Sequence, residues 1–175
     1  EKDGALGSEA VGTTVTSGNG IAFSGGISYT LPETITITGA GSFPRPIENL
    51  DGNNSFDGTL TLSGSATIES TSGALTLTGA VNVGANTLWF DGPADVVLSG
   101  PVSGGGVLRP SGTGIVTVNG AQPFAGSVLL DGETLMVEGT LAATISVNHS
   151  DSIMAGTGTT GTLDLDNYGE VDPGN

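Results

Sequence analysis

There is no cysteine in this chain, so neither a disulfide nor a thiolate metal site can form. Basic residues are scarce too: three Lys and Arg stand against 18 Asp and Glu, for a formal net charge of −15. Phosphate binding needs a basic footprint, which excludes nucleic acid as a partner. An anionic membrane surface is excluded on the same ground. No apolar run approaches the length of a membrane span, so this segment is not expected to insert in a membrane. No basic n-region followed by an apolar h-region opens the chain, and Glu1-Lys2-Asp3-Gly4 reads as an internal or processed start. Aromatic residues are only 5% of the total. A core must therefore be built from Leu, Val, Ile and Thr. The acidity is compatible with solubility outside the cell, with divalent cations or with cationic partners.

What is abundant is glycine, 31 of 175 residues, far above the usual share of about 7%. It recurs in a phrase. Thr34-Ile35-Thr36-Ile37-Thr38-Gly39 is followed by Thr59-Leu60-Thr61-Leu62-Ser63-Gly64, Ala74-Leu75-Thr76-Leu77-Thr78-Gly79 and Asp95-Val96-Val97-Leu98-Ser99-Gly100. Ile115 to Gly120, Ser127 to Gly132 and Thr134 to Gly139 continue it, and Thr144 to Asn148 and Thr162 to Asn167 repeat it without the closing glycine. Each phrase reads as a short strand whose apolar side chains at i and i+2 face one way while Thr or Asp faces the other. Glycine then ends the strand, an expectation based on its freedom to take positive φ. Such regular alternation is foreign to a disordered linker, and helix is disfavoured throughout.

Several closing glycines lie about twenty residues apart. Short strands on such a period indicate a solenoid, because one coil cannot bury its apolar face alone and stacked coils can. The expected fold is all-β: a parallel β-helix, or β-solenoid, of about eight or nine coils, forming a rod roughly 40 Å long at a rung spacing of about 4.8 Å. An antiparallel sandwich or barrel is the competing fold. Against it, hairpin signals are scarce, and Asn19-Gly20 and Asn119-Gly120 are the only Asn-Gly pairs. Residues 1–33 are read as N-terminal coil by composition. The repeat is assigned to 34–175, interrupted by a loop near 40–58 that carries Phe43-Pro44-Arg45-Pro46 and the turn cluster Asp51-Gly52-Asn53-Asn54.

Three segments carry a resemblance. Glu48-Asn49-Leu50-Asp51-Gly52-Asn53-Asn54-Ser55-Phe56-Asp57-Gly58-Thr59-Leu60-Thr61-Leu62 resembles the phrase of autotransporter-associated β-strand repeats. The run Ser103-Gly104-Gly105-Gly106-Val107-Leu108 through Thr117-Val118, with Phe124-Ala125-Gly126 beyond it, is similar to the repeat of autotransporter passenger domains. Tyr168-Gly169-Glu170-Val171-Asp172-Pro173-Gly174-Asn175 looks like a closing phrase of the same family. The resemblance covers residues 47–175. It implies a right-handed parallel β-helix with three strands per coil, secreted or displayed at the bacterial outer surface as part of a long protein. These motifs mark a fold rather than an activity. Arg109-Pro110 departs from the family's Lys-Thr. No outer-membrane barrel translocator is present in the sequence, so the chain is expected to be a fragment or a subunit cut from a precursor.

Few residues suggest chemistry. His149, the only histidine, sits in Val147-Asn148-His149-Ser150-Asp151 and reads as a turn residue rather than the base of a triad. No Gly-x-Ser-x-Gly elbow occurs. The acids are scattered at turns (Asp51, Asp57, Asp91, Asp95, Asp131, Glu133, Asp151) rather than paired as glycoside hydrolysis requires. No catalytic residue and no cofactor is assigned. Calcium is the metal to consider, with Asp164, Asp166 and Asp172 as candidate ligands, but Tyr168 stands where a ligand belongs and no Glu closes the loop. Asn53-Asn54-Ser55 and Asn148-His149-Ser150 are glycosylation sequons. Trp89 and Phe90 offer one core filler and one stacking platform, since neighbours on a strand alternate. Val97, Leu129 and Met136 take outward positions and would form a lateral patch if they align.

The leading expectation is therefore a non-enzymatic structural or adhesive module of a microbial surface, its open ends inviting head-to-tail stacking with another copy or with neighbouring repeats of a longer chain. A carbohydrate-active β-helix of lyase or hydrolase type and a calcium-stabilised module are the alternatives. The ligand, whether a host or cell-surface molecule, is not legible.

Overall fold

The computed structural model describes Leu6 and residues 12–39, 45–165 and 170–172. Among them there is no helix, and every strand pairing is parallel. The chain winds as a β-solenoid of three faces. The first face stacks Thr13–Val15, Thr34–Gly39, the first half of Thr59–Ser70, Val81–Gly84, Val102–Gly104, Ala121–Gln122, Thr140–Leu141 and Thr159–Thr160. The second stacks Ile21–Phe23, Ile47–Asn49, the second half of Thr59–Ser70, Thr87–Asp91, Val107–Pro110, Ser127–Leu130, Thr144–Val147 and Leu163–Leu165. The third stacks Ser28–Tyr29, Asn53–Phe56, Ala74–Leu77, Asp95–Leu98, Val116–Val118, Thr134–Val137, Ile153–Ala155 and Glu170–Asp172.

This makes about seven turns rather than the eight or nine expected. The described rungs are seven steps apart and a step still averages about twenty residues, but the perimeter is uneven. Thr13 pairs with Ile35 and Ile35 with Leu60, so the first turns take 22 and 25 residues. Val128 pairs with Ile145 and Ile145 with Leu163, so the last take 17 and 18. The rod narrows along its length.

The alternation read from the sequence sets the core. Leu75, Val96, Val116 and Leu135 are successive partners on the third face, and all are buried. Each such side chain contributes about 1.5–3 kcal/mol by leaving water. Phe23, Tyr29 and Phe56 cluster in the first rungs, with ring centroids 6.1 and 5.8 Å apart. The two Phe-x-Gly phrases now have a physical reason. Phe56 and Phe124 are buried, and each ring lies where a Cβ on Gly58 or Gly126 would sit.

Two expectations are corrected here. The loop placed near 40–58 is shorter, because Ile47–Asn49 and Asn53–Phe56 are regular strands of the second and third faces. Their turn-like asparagines are buried polar pegs. Asn54 Nδ2 donates to Asn49 Oδ1 at 2.5 Å and to Asp51 O at 2.7 Å, Asn49 Nδ2 donates to Ser70 Oγ at 3.1 Å, and Ile27 N donates to Asn54 Oδ1 at 2.6 Å. The second correction concerns the closing glycines. Gly64, Gly79, Gly100 and Gly139 do not have positive φ. A Cβ at Gly79, Gly100 or Gly139 would strike a backbone carbonyl of the rung before, and at Gly64 it would strike the Thr38 hydroxyl.

Candidate functional site

The second face and the corner that follows it carry most of the uncommon side chains. Thr87–Asp91 points Trp89 and Asp91 outward and buries Leu88 and Phe90. Trp89 is half-buried between Thr67 on the preceding rung and Arg109 on the next. Phe90 is 2% exposed and stacks between Ile68 and Pro110, so it is a core residue and not a contact residue. Pro110, the departure from the family phrase, ends its strand with its ring inward. Leu129 follows on this face beside Ser146. Val97 and Met136 instead share the outward column of the third face, separated by Thr117. The three apolar positions therefore do not form one patch, and each is half-buried.

Beyond Asp91 the chain turns at Gly92, whose φ of 96° requires glycine. Three successive corners, Asp91-Gly92-Pro93, Ser111-Gly112-Thr113 and Asp131-Gly132-Glu133, line an open groove of about 420 Å³. Its floor is backbone: a Cβ on Gly112 would collide with the Gly92 carbonyl. Asp91 and Asp131 stand two rungs apart, about 10 Å at the spacing of paired strands.

The carboxylates here are already engaged. Arg45, entering from the loop before Ile47–Asn49, lies across the second face. Its Nε reaches Glu69 at 3.0 Å, its Nη2 reaches Asp91 at 2.9 Å, and its own N–H donates to Glu48 Oε1 at 2.6 Å. Arg109 Nη2 reaches Asp131 at 3.4 Å. Asp91 Oδ1 also accepts from Gly92 N, and Glu133 Oε2 from Asp131 N. Arg45 thus ties carboxylates of two neighbouring rungs, and Arg109 reaches one on the next rung. The sequence did not reveal this, because the partners lie 22 to 46 residues apart.

The remaining candidates separate. His149 is half exposed in a turn, accepts a hydrogen bond from Asp151 N at Nδ1, and lies 3.8 Å from Asp151 Oδ2. Asp164 is exposed on the second face beside Ser146. Asp166 and the Asp172 side chain lie outside the described residues. Among the described residues, no three His, Cys, Asp or Glu side chains converge closely enough to hold a metal ion. Asn53 and Asn148, the sequon acceptors, are both exposed. The chain matches no protein-family model, no curated protein and no solved structure.

Proposed function

We propose that this chain is a non-enzymatic structural and adhesive module of a microbial extracellular surface, of the autotransporter passenger type. One observation carries the reading: polar chemistry inside and along the rod is used to hold rungs together. Buried Asn49, Asn54, Ser70, Gln122 and Ser152 are all hydrogen-bonded between or within corners, Arg45 bridges the acids of two successive rungs, and Arg109 reaches an acid on the next rung. What is left to meet a partner is the outer surface, where Trp89 presents an aromatic side chain two residues before the groove at Asp91. An aromatic platform beside hydroxyls and carboxylates suits a neutral glycan of a cell surface.

The test is a panel of neutral and acidic polysaccharides offered to the full chain, with two readouts. Affinity electrophoresis is expected to show retardation by one or more neutral polysaccharides that Trp89→Ala abolishes. Assays for new reducing ends and unsaturated products are expected to stay blank. Turnover would overturn the reading in favour of a carbohydrate-active β-helix, and retardation indifferent to Trp89→Ala would remove the adhesive site. A fall in melting temperature on adding a chelator would favour the calcium-stabilised alternative instead.

A further inference from the structure

We infer that Asn119-Gly120 is a self-modifying site, at which the folded corner promotes conversion of Asn119 to aspartate or isoaspartate with loss of ammonia, assisted by Gln122. The inference is independent of what the solenoid displays. It begins with a contrast between equivalent corners. Where the third face turns into the first, the N–H groups of Gly79 and Gly100 donate to Phe56 O at 3.3 Å and Leu77 O at 3.0 Å. Gly120 occupies the same place one rung on but adopts φ 68°. Among the described residues its N–H has no acceptor, and nothing lies within 4 Å of where its Cβ would be. Asn119 is nevertheless anchored, its own N–H donating to Leu98 O at 2.9 Å.

The carbonyl of the same peptide group is held differently. Asn119 O accepts a hydrogen bond from Gln122 Nε2. Gln122 is 4% exposed and fixed from its other side, because Val102 N donates to its Oε1 at 2.5 Å. The peptide between Asn119 and Gly120 therefore has a free N–H and a buried donor on its oxygen. When base removes the Gly120 proton, the negative charge is shared with the Asn119 oxygen, where Gln122 stabilises it as a preorganised donor does an oxyanion. The nitrogen then attacks Asn119 Cγ. The N–Cγ bond forms, the Cγ–Nδ2 bond breaks, and ammonia leaves with a proton from water. Water opens the resulting ring at either carbonyl, giving aspartate or isoaspartate. The leaving amide is lightly held, donating to Ser99 Oγ at 3.4 Å.

Asn19-Gly20 is an internal control. There Nδ2 donates to Thr16 Oγ1 at 3.0 Å, and no donor among the described residues sits on the Asn19 carbonyl. Reaction at Asn119 would add a carboxylate to an already acidic rod. The isoaspartate would also insert a methylene just before Gly120, whose carbonyl accepts from Thr140 N at 2.7 Å and against which Gly139 packs.

The full chain, incubated at mildly alkaline pH in heavy-oxygen water, is to be peptide-mapped by mass spectrometry, folded and in denaturant. The expected result is a ratio of Asn119 to Asn19 conversion several-fold higher folded than denatured. Gln122→Glu keeps the acceptor for Val102 N but loses the donor, and is expected to bring the folded ratio back toward the denatured one. A folded ratio equal to or below the denatured ratio would overturn the proposal. A folded ratio unchanged by Gln122→Glu would overturn the role of Gln122.

Discussion

Gly79 has two carbonyl oxygens, those of Gly58 and Asp57, where a side chain would begin. Gly105 has open space in the same position and no positive φ. The two glycines should therefore respond oppositely to alanine. Gly79→Ala is expected to cost about 1–3 kcal/mol, the range for overpacking a tight site. Gly105→Ala should be neutral or slightly stabilising, because it restricts only the unfolded chain. Chemical denaturation of the two variants against the parent checks both. The positions of the closing glycines were legible in the sequence, but their cause at Gly79 was not. A local pattern reports φ preferences and says nothing of a carbonyl some twenty residues back. Asn49 and Asn54 were misread for the same reason. Both favour turns as isolated residues, and only their mutual hydrogen bonds and that to Ser70 make them interior residues.

At the scale of elements, the Arg45 segment is a strap over the second face. It spans three rungs through Glu48, Glu69 and Asp91. Without the guanidinium, these carboxylates would stack at rung spacing with no cation between them. Arg45→Met keeps the aliphatic stem and removes the charge. It should destabilise by about 1 kcal/mol, the upper end for a partly exposed pair, since two acids share one cation. The loss should shrink at high salt, where both the ion pairs and the repulsion are screened. Thermal melts of both proteins at two ionic strengths test this. The strands themselves were readable from alternation alone, as on the third face from Ala74–Leu77 to Thr134–Val137. The strap was not, because Pro44-Arg45-Pro46 announces a loop and leaves its destination unstated.

For the whole molecule, the solenoid and its parallel stacking follow from the strand period, while the perimeter of each turn depends on corner lengths that no repeat phrase fixes. The candidate surface was half visible. Alternation assigned Trp89 and Phe90 to opposite sides, but the groove between stacked corners exists only after winding. Assembly belongs to this scale too. Leu165 continues the inward column of Val147, yet it is 52% exposed in the last described rung of its face. Among the described residues its strand pairs on one side only, with Thr144–Val147, and we propose that this inward-facing leucine meets another copy or the next repeat of a longer chain. Light scattering over rising protein concentration is expected to show increasing mass for the parent and a constant monomer for Leu165→Asp. A parent that stays monomeric at every concentration would end the stacking proposal.

The ladder bonds between rungs run along the rod, so tension applied between its two ends pulls along those bonds rather than across them. Such a ladder opens as a zipper does, one rung at a time, at modest force. With 17 to 25 residues per turn, each opening would release roughly 60–90 Å of slack, at about 3.3–3.6 Å per extended residue. Because the perimeter shrinks along the chain, successive openings would not be equal. Anchored at one end and gripped at the other, the rod would extend by graded steps under load before its attachment gave way.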